Sequence, residues 1–440
     1  MAALSRRKFL AGLLQAQPLP NIVFILLDDL GYADIGCYGQ KKIKTPHIDT
    51  LARDGMKFPQ AYAGGPVCAP SRCVLMTGKH LGHAAIRANA GTTPLPAEEV
   101  TIARVLQQAG YATGGFGKWG LGDANSSGVP SKHGFDHFYG YLHQVHAHTY
   151  FPECLWENDK RDTLGKEVYS ADRIAEKSIA WLKQQKAKPF FLYACYTVPH
   201  GRYETPTQEP YSATDWPEKE KSYAAMVTQG DRYTGRILDT LRAMGVEKNT
   251  LVIFASDNGG VSGDGHSAGF FDSMRTASGA VLRGEKGTLF EGGLRVPFLV
   301  RWPGRVKPGS VNETPVYFAD IFPTFAALAN RPVTGVDGVS LLPQFEGKLG
   351  SERLLHWEHY NYSAKTKTLT PIAAAVRKGR WKAIRTRPNQ PPALYDLSVD
   401  ESEANDIAAA HPMIARQLSA AMRDAHIPAL PHTGIMEWVR

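Results

Sequence analysis

The sequence lacks several features that would assign it to a common class of protein. Only five of its 440 residues are cysteines, and they form neither a Cys-x-x-Cys pair nor a disulfide framework. No segment is long and apolar enough to span a membrane. No lysine- and arginine-rich run with interleaved aromatic residues occurs, and no nucleic-acid motif. We therefore expect no disulfide scaffold, no stable membrane insertion and no nucleic-acid partner.

The composition is that of a large folded protein. Hydrophobic residues make up 43% of the chain, and its length exceeds the size at which one core usually stops growing. We expect one large domain followed by a smaller one. The formal net charge of +8 suits anionic ligands such as sulfate esters, phosphates and acidic glycans. The same charge is compatible with a basic protein that has no such ligand.

Apolar runs alternate with helix-like segments. The runs at residues 21–27, 189–196 and 250–256 fit strands that are buried on both faces, as in a parallel sheet. Residues 101–108 and 171–184 have the pattern of helices. This alternation predicts an α/β fold built on a doubly wound sheet.

Polar side chains follow the predicted strands. Asp28 and Asp29 come after the first run, His200 after the second, and Asp257 and Asn258 after the third. Ligands of parallel sheets gather beyond the carboxyl ends of the strands, so one shared site is the simplest explanation. The Asp and Asn side chains offer only oxygen donors, which select Ca²⁺ or Mg²⁺ over zinc. Each pair could also serve as ordinary turn chemistry.

One short segment is more specific than these patterns. Residues 68–72 read Cys-Ala-Pro-Ser-Arg, and Thr-Gly follows at residues 77–78. This resembles the sulfatase signature Cys-x-Pro-Ser-Arg-x-x-x-Leu-Thr-Gly, with Met76 in place of the leucine. The resemblance implies that a formylglycine-generating enzyme oxidises Cys68 to formylglycine (3-oxoalanine), the nucleophile of that family. An unmodified buried thiol is the alternative.

The resemblance runs from residue 21 to the Tyr-Asp-Leu at residues 395–397. It implies an alkaline-phosphatase-like fold, with a large mixed, mostly parallel sheet flanked by helices on both faces. The catalytic domain would span residues 21–350, and a smaller C-terminal α+β subdomain with an antiparallel sheet would span residues 351–440. It also implies one Ca²⁺ per chain, in preference to Mg²⁺. Its ligands would be Asp28, Asp29, Asp257, Asn258 and the formylglycine formed from Cys68.

The family also implies roles for four other side chains. Arg72 would hold the nucleophile, and His200 would protonate the leaving alcohol. Lys118 and Lys286 would touch the sulfate. Lys286 lies within residues 284–297, whose Glu-Gly-Gly-Leu-Arg-Val-Pro ending is specific to the family. A lysine or histidine taken alone would more often be a surface or structural residue.

One departure from the family concerns the release of sulfate. Many sulfatases have Gly-Lys-Trp-His-Leu-Gly where residues 117–122 read Gly-Lys-Trp-Gly-Leu-Gly. Their histidine binds the formylglycine hydroxyl and acts as the base, whereas Gly120 cannot take a proton. His143, His146 and His148 are the nearest histidines that could enter the site or contact substrate. A surface loop that contains three histidines is the alternative.

We therefore predict a sulfuric ester hydrolase that acts on a small-molecule or oligosaccharide sulfate ester. A carbohydrate is expected from the family's usual substrates and from the aromatic and polar residues at 139–156. One alternative is a phosphodiesterase or phosphonate monoester hydrolase, because related formylglycine enzymes act on phosphorus. Another is a sulfated-glycan-binding protein that has lost catalysis, which Gly120 would explain.

The N-terminus bears on location. Residues 5–10 read Ser-Arg-Arg-Lys-Phe-Leu and resemble a twin-arginine export signal. The apolar stretch after the arginines is short, and no clear cleavage site follows. We expect residues 1–20 to be a signal or an N-terminal tail and the protein to be exported to the periplasm or beyond. The short apolar stretch leaves a cytoplasmic location open.

Overall fold

The computed structural model describes residues 19–89, 93–363, 365–366 and 368–428. The export motif at residues 5–10 lies outside the described residues. None of the helices within the described ranges combines the length and the apolar character that a membrane crossing requires.

The described residues form three separate sheets and a set of α-helices. The strands are β1 (Asn21–Leu27), β2 (Met56–Lys57), β3 (Ala61–Tyr62), β4 (Ala112–Lys118), β5 (His137–Tyr141), β6 (Cys154–Glu157), β7 (Lys160–Thr163), β8 (Phe190–Cys195), β9 (Thr250–Ser256), β10 (Phe298–Arg301), β11 (Ser310–Val311), β12 (Val316–Tyr317), β13 (Leu354–Ser363), β14 (Thr368–Lys378), β15 (Trp381–Arg385) and β16 (Ala393–Asp396). The helices are α1 (Pro46–Arg53), α2 (Cys68–Thr77), α3 (Ile102–Gln108), α4 (Ser170–Gln184), α5 (Glu218–Ala243), α6 (Glu291–Leu294), α7 (Ile321–Leu328), α8 (Leu342–Phe345) and α9 (Pro412–Asp424).

The large sheet is mixed and mostly parallel at its centre. Its strand order is β11-β2-β10-β9-β1-β8-β4-β5-β6-β7. Strands β9, β1, β8, β4 and β5 run parallel to one another. Strands β10 and β6 flank this centre in the antiparallel direction. The carboxyl ends of five adjacent strands therefore meet at one edge of the sheet, where a ligand site is expected.

Helices cover both faces of this sheet. Every residue of β1 is buried. Ile22, Phe24 and Leu26 pack into one core together with residues of α2, α3 and α7. The alternate residues of β1 pack into a second core with α1, α4 and α5. Because successive strand residues point to opposite faces, a strand with a core on each side must be apolar throughout. This confirms the predicted fold class.

The C-terminal part adds a four-stranded antiparallel sheet in the order β13-β14-β15-β16. Helix α9 covers one face, where its Leu418 and Met422 pack against Val376 of β14. On the other side, Trp357 Nε1 of β13 donates a hydrogen bond of 2.9 Å to Ala63 O, which anchors this sheet to the residue that follows β3. The boundary between residues 350 and 351 stays a prediction.

Candidate active site

The end of β1 lies beside the end of β9. Leu27 and Ser256 are register partners in these two parallel strands. The backbone N–H of Asp257 donates to Leu27 O at 3.0 Å, and that of Asp28 donates to Val198 O at 3.1 Å. The strand register therefore fixes the first acidic residue after each strand at the same point of the sheet edge.

Residue 68 opens helix α2 at this edge. Val67 before it is extended, and the helix ends at Gly78, whose φ of 69° lies in the left-handed region that favours glycine. All residues of the helix are buried. Cys68 Sγ lies 3.3 Å from Asp28 Oδ1. A helix N-terminus offers N–H groups and a partial positive charge, which favour an anion beside residue 68.

Two lysines reach the aspartates that follow β1. Lys118 Nζ, at the end of β4, lies 2.6 Å from Asp28 Oδ2, and both side chains are fully buried. Lys286 Nζ lies 2.7 Å from Asp29 Oδ2 and keeps a small exposed fraction. These cations come from distant parts of the chain, and both point to the strand end beside residue 68.

Arg72 lies one helical turn after residue 68, on the same side of α2. Its Nε donates a hydrogen bond of 3.0 Å to Asp257 Oδ2, and its Nη1 donates to Lys118 O at 2.6 Å. The guanidinium is fully buried. Arg72 therefore links helix α2 to the ends of β9 and β4.

His200 approaches the site from beyond β8. Its Nε2 lies 3.4 Å from Asp29 Oδ2. Burial lowers its pKa, although Asp29 and Asp28 work in the opposite direction. A neutral or readily deprotonated imidazole at the strand edge can exchange a proton near neutral pH.

Burial and neighbouring charges shift the pKa values of Asp28 and Asp257 in opposite directions. Burial alone would raise the pKa of Asp28, but Lys118, His200 and Arg72 hold it well below its usual range. Burial and Asp28 raise the pKa of Asp257 to about 7. The site thus holds a firmly ionised carboxylate beside a second one that ionises less readily.

As an unmodified thiol, Cys68 would stay protonated at neutral pH. Burial and the neighbouring Asp28 raise its pKa to about 12. The thiolate, and not the thiol, is the reactive form of cysteine. The environment of residue 68 therefore does not suit a cysteine nucleophile.

The donors around Asp29 fit a hard cation. Ligand atoms of Asp28, Asp29, Cys68 and His200 all lie within 4.8 Å of one another. Asn258 Nδ2 donates to Asp29 Oδ1 at 2.7 Å. Asn258 Oδ1 is buried and has no hydrogen-bond partner among the described residues. A buried amide oxygen without a partner, beside the carboxylate of Asp29, is a donor that Ca²⁺ can use.

The three histidines of the segment after β5 point in different directions. The ring of His148 stacks on that of His200, with centroids 4.2 Å apart and planes inclined by 19°. The ring of His146 packs edge-on against Tyr141. His143 Nδ1 accepts a hydrogen bond from the Val145 N–H at 3.1 Å. His148 is thus the member of the three for which the described contacts show a direct link to a predicted site residue.

One neighbour of the site is missing from the sequence analysis. A β-carbon added to Gly120 would lie 2.7 Å from Gln144 Oε1. Gln144 lies between His143 and His146, and it was not predicted as a site residue because its side chain is not ionisable. The sequence did contain a signal for this residue. Gly120 stands where many members of the family have a histidine, and a polar residue close to it in the fold can take the place of that side chain.

The predicted site residues converge on one edge of the large sheet. The side chains that the structure brings together there are Cys68, Arg72, Lys118, His200, Lys286, Asp28, Asp29, Asp257 and Asn258. Their roles and their metal ligation stay predictions, since geometry alone does not test chemistry.

The chain is similar to known proteins along most of its length. The sulfatase family model matches residues 20–331, and the model for the C-terminal part of N-sulphoglucosamine sulphohydrolase matches residues 284–426. The chain is 31% identical to the N-acetylgalactosamine-6-O-sulfatase of Bacteroides thetaiotaomicron, over 91% of this chain and 92% of that protein. It is 32% identical to arylsulfatase A of Homo sapiens, over 89% of this chain and 84% of that protein.

Solved structures agree with the sequence relatives. The crystal structure of Ps i-CgsB in complex with k-i-k-neocarrahexaose has a TM-score of 0.81 and 30% identity, and the match covers 92% of each chain. A Bacteroides thetaiotaomicron structure from a study of glycosaminoglycan metabolism has a TM-score of 0.76 and 28% identity, over 92% of this chain and 98% of that one. Together with a family model that spans more than half of the sequence, these matches show that the chain belongs to the sulfatase family and is a sulfuric ester hydrolase.

Proposed function

We propose that this sulfatase uses a formylglycine at residue 68 and one Ca²⁺ to hydrolyse the sulfate ester of a carbohydrate. The observation that carries the proposal is the convergence at one sheet edge. The Cys-Ala-Pro-Ser-Arg run at the start of α2, oxygen donors from two strand ends and two lysines meet there. A cysteine in this sequence context with so high a thiol pKa is better explained as a precursor than as a nucleophile.

Each residue of the site would have its own role in the hydrolysis of the sulfate ester. The hydrated form of a formylglycine would supply an attacking hydroxyl, and Ca²⁺ would supply positive charge at the sulfate oxygens. Lys118 and Lys286 hold fixed positive charge where negative charge develops on the sulfate, which is often the largest catalytic contribution. Arg72 orients residue 68 and keeps its charge at every working pH.

His200 would serve the leaving group. Its Nε2 lies at the outer side of Asp29, where an ester oxygen would face it. A proton held at Nε2 and transferred to the departing alcohol oxygen prevents release of an unstable alkoxide. Ca²⁺ would be held by Asp28, Asp29, Asp257 and Asn258, whose oxygen atoms match its preference.

The carbohydrate assignment comes from similarity. A relative at 31% identity is described as an N-acetylgalactosamine-6-O-sulfatase, and a structural neighbour at 30% identity is a complex with k-i-k-neocarrahexaose. In the segment at residues 139–156, His148 stacks on His200 and Tyr150 OH donates a hydrogen bond of 2.8 Å to His200 O. The structural neighbour with a bound oligosaccharide is the observation that supports a sulfated sugar over a steroid or a simple aryl ester.

The test combines maturation and turnover. The chain is co-expressed with a formylglycine-generating enzyme, and the peptide that contains residue 68 is analysed by mass spectrometry. The product is then assayed on sulfated mono- and oligosaccharides and on the matching phosphate esters. We expect the aldehyde form of residue 68 and release of sulfate from at least one sugar. An intact thiol without turnover would favour a glycan-binding protein, and faster release of phosphate would favour a phosphoesterase.

Export is a separate part of the proposal. We infer that residues 1–20 direct the chain out of the cytoplasm by the twin-arginine route, on the basis of the Ser-Arg-Arg-Lys-Phe-Leu motif. Fusion of this segment to a reporter that matures only after export tests it. Replacement of Arg6 and Arg7 by lysine should retain the reporter inside the cell, and continued export would contradict the assignment.

A further inference from the structure

The space left by Gly120 is occupied by another residue. A β-carbon at this position would lie 2.7 Å from Gln144 Oε1 and 3.9 Å from Arg72 Cδ. The backbone N–H of Gly120 donates to Leu142 O at 3.0 Å, which holds the segment of Gln144 alongside. The φ of Gly120 is 76°, in the left-handed region that favours glycine. Chain conformation and space therefore both oppose a side chain at residue 120.

Gln144 is buried with its polar end unused. The residue is 3% exposed. Neither Oε1 nor Nε2 has a hydrogen-bond partner among the described residues. A buried amide without partners is costly to the fold, so each such group calls for an explanation. The space beside Gly120 is lined by this amide and by Arg72, whose Nε donates a hydrogen bond to Asp257, so the amide faces the proposed active site.

We propose that Gln144 is a sulfate-binding residue that takes the place of the side chain absent at Gly120. Its Nε2 donates a hydrogen bond to a sulfate oxygen. This inference rests on the proposed function of the site. A carboxamide donates and accepts hydrogen bonds but does not take up a proton at neutral pH. Gln144 therefore contributes binding and orientation, and not the base of the release step.

The energetics of the two states support this assignment. In the free enzyme the amide forgoes its hydrogen bonds, which lowers stability. With sulfate bound, it gains a bond to a charged oxygen, which is stronger than a bond between neutral groups.

The experiment measures binding of inorganic sulfate instead of turnover. The Ca²⁺-saturated Cys68→Ala protein is titrated with sulfate by calorimetry, alone and with Gln144→Met. Methionine keeps the length of the side chain and removes the amide. We expect sulfate affinity to fall about tenfold, the usual worth of one hydrogen bond to a charged group. We also expect the Tm without sulfate to stay equal or to rise.

Gln344 supplies the matched control. It is also buried, and its Oε1 also lacks a partner among the described residues. Its neighbour Phe345 lines a cavity together with Pro20, next to the amino end of β1, so it lies at the opposite end of that strand from the site. Gln344→Met should leave sulfate affinity unchanged.

The outcomes separate the two proposals. Absence of sulfate binding in the Ca²⁺-saturated Cys68→Ala protein would count against the function itself. Parent-like affinity in Gln144→Met, or a lower Tm with unchanged affinity, would overturn only the role of Gln144. If Gln144→Met does not fold, Gln144→Glu tests the same contact, because a carboxylate repels sulfate and should weaken binding more strongly. Unchanged sulfate affinity in Gln144→Glu would also overturn the proposal.

Discussion

Two buried clusters of charged side chains differ in which of the polar atoms around them lack a bonding partner within the protein. The active-site cluster contains Asp28, Asp29, Asp257, Arg72, Lys118 and Lys286. The junction cluster contains Tyr62, Glu291, Lys382 and Glu403 and joins β3 and helix α6 to the antiparallel sheet. In the junction cluster, Lys382 Nζ lies 2.8 Å from a carboxylate oxygen of each glutamate.

The two oxygens of Glu291 show how closed the junction is. One oxygen pairs with Lys382, and the other accepts a hydrogen bond of 2.7 Å from Tyr62 OH. In the active site, Asn258 Oδ1 and both amide atoms of Gln144 have no partner within the described part of the chain. Glu403 Oε1 at the junction also has no hydrogen-bond partner among the described residues, but it lies 2.8 Å from Lys382 Nζ. The unbonded oxygen of the junction is therefore paired with a cation, whereas the active site leaves neutral amide atoms available to a ligand.

The largest expected effect separates two cysteines of the same helix. Cys68→Ala should reduce kcat by at least about 10⁴-fold, the scale seen when a nucleophile is removed. Cys73→Ala should keep kcat, because Cys73 is buried in the apolar core behind α2. Steady-state turnover of a sulfated sugar and thermal unfolding measure both. Comparable turnover in Cys68→Ala and the parent would end the proposed mechanism.

A substitution in the junction cluster should change the stability of the protein and not its activity. Lys382→Met leaves two buried carboxylates without their cation and should lower the free energy of unfolding by about 3–5 kcal/mol. Urea denaturation checks this, and kcat of the folded fraction should not change. Lys348→Met removes a cation from an exposed pair with Glu346 and should cost at most about 1 kcal/mol. An equal loss of unfolding free energy in the two variants would show that the buried junction cluster contributes no more to stability than an exposed ion pair.

The sequence predicted one of these clusters and missed the other. The active-site residues stand at the ends of apolar runs or in a signature motif, and the rule that parallel strands end at one edge brings them together. Lys382 and Glu291 carry no such signal, since their pairing depends on how helix α6 packs against the antiparallel sheet. The fold class was predictable for the same reason, because strand and helix periodicity is local. The packing of Gln144 against Gly120 was not, since it depends on side-chain placement between two separate segments.

A smaller effect is expected from acid at a third buried group of residues, around Glu358 of β13. Burial would raise the pKa of Glu358, but hydrogen bonds from His356, Tyr360 and His426 hold it at about 2. Burial and the nearby His356 lower the pKa of His80 to about 4, although Asp337 opposes this shift. The folded state thus binds fewer protons than the unfolded chain at both groups, so acid favours unfolding.

Each group acts in its own pH window. Stability linked to His80 is complete above about pH 6.5 and is lost as the pH falls to about 4, and stability linked to Glu358 is lost between about 4.5 and 2. The free energy of unfolding should fall by about 3 kcal/mol per group at most. Denaturation curves from pH 7 to about 2 measure this. Glu358→Gln should flatten the lower limb, and Glu346→Gln on the surface should not. A limb that is equally steep in Glu358→Gln would refute the assignment.

The smallest effect belongs to the edge of the active site. His148 stacks on His200, and its Nε2 is buried without a partner among the described residues. An aromatic pair contributes about 0.5–1.5 kcal/mol, so loss of the stack should reduce kcat about two- to tenfold. His148→Ala should show this loss in steady-state assays, together with a shift in the pH profile as His200 gains solvent. His146→Ala is the control, because its ring packs on Tyr141 and not on His200. If His148→Ala retained full kcat and KM, the stack would be a structural contact, and the active site would then be confined to the strand ends.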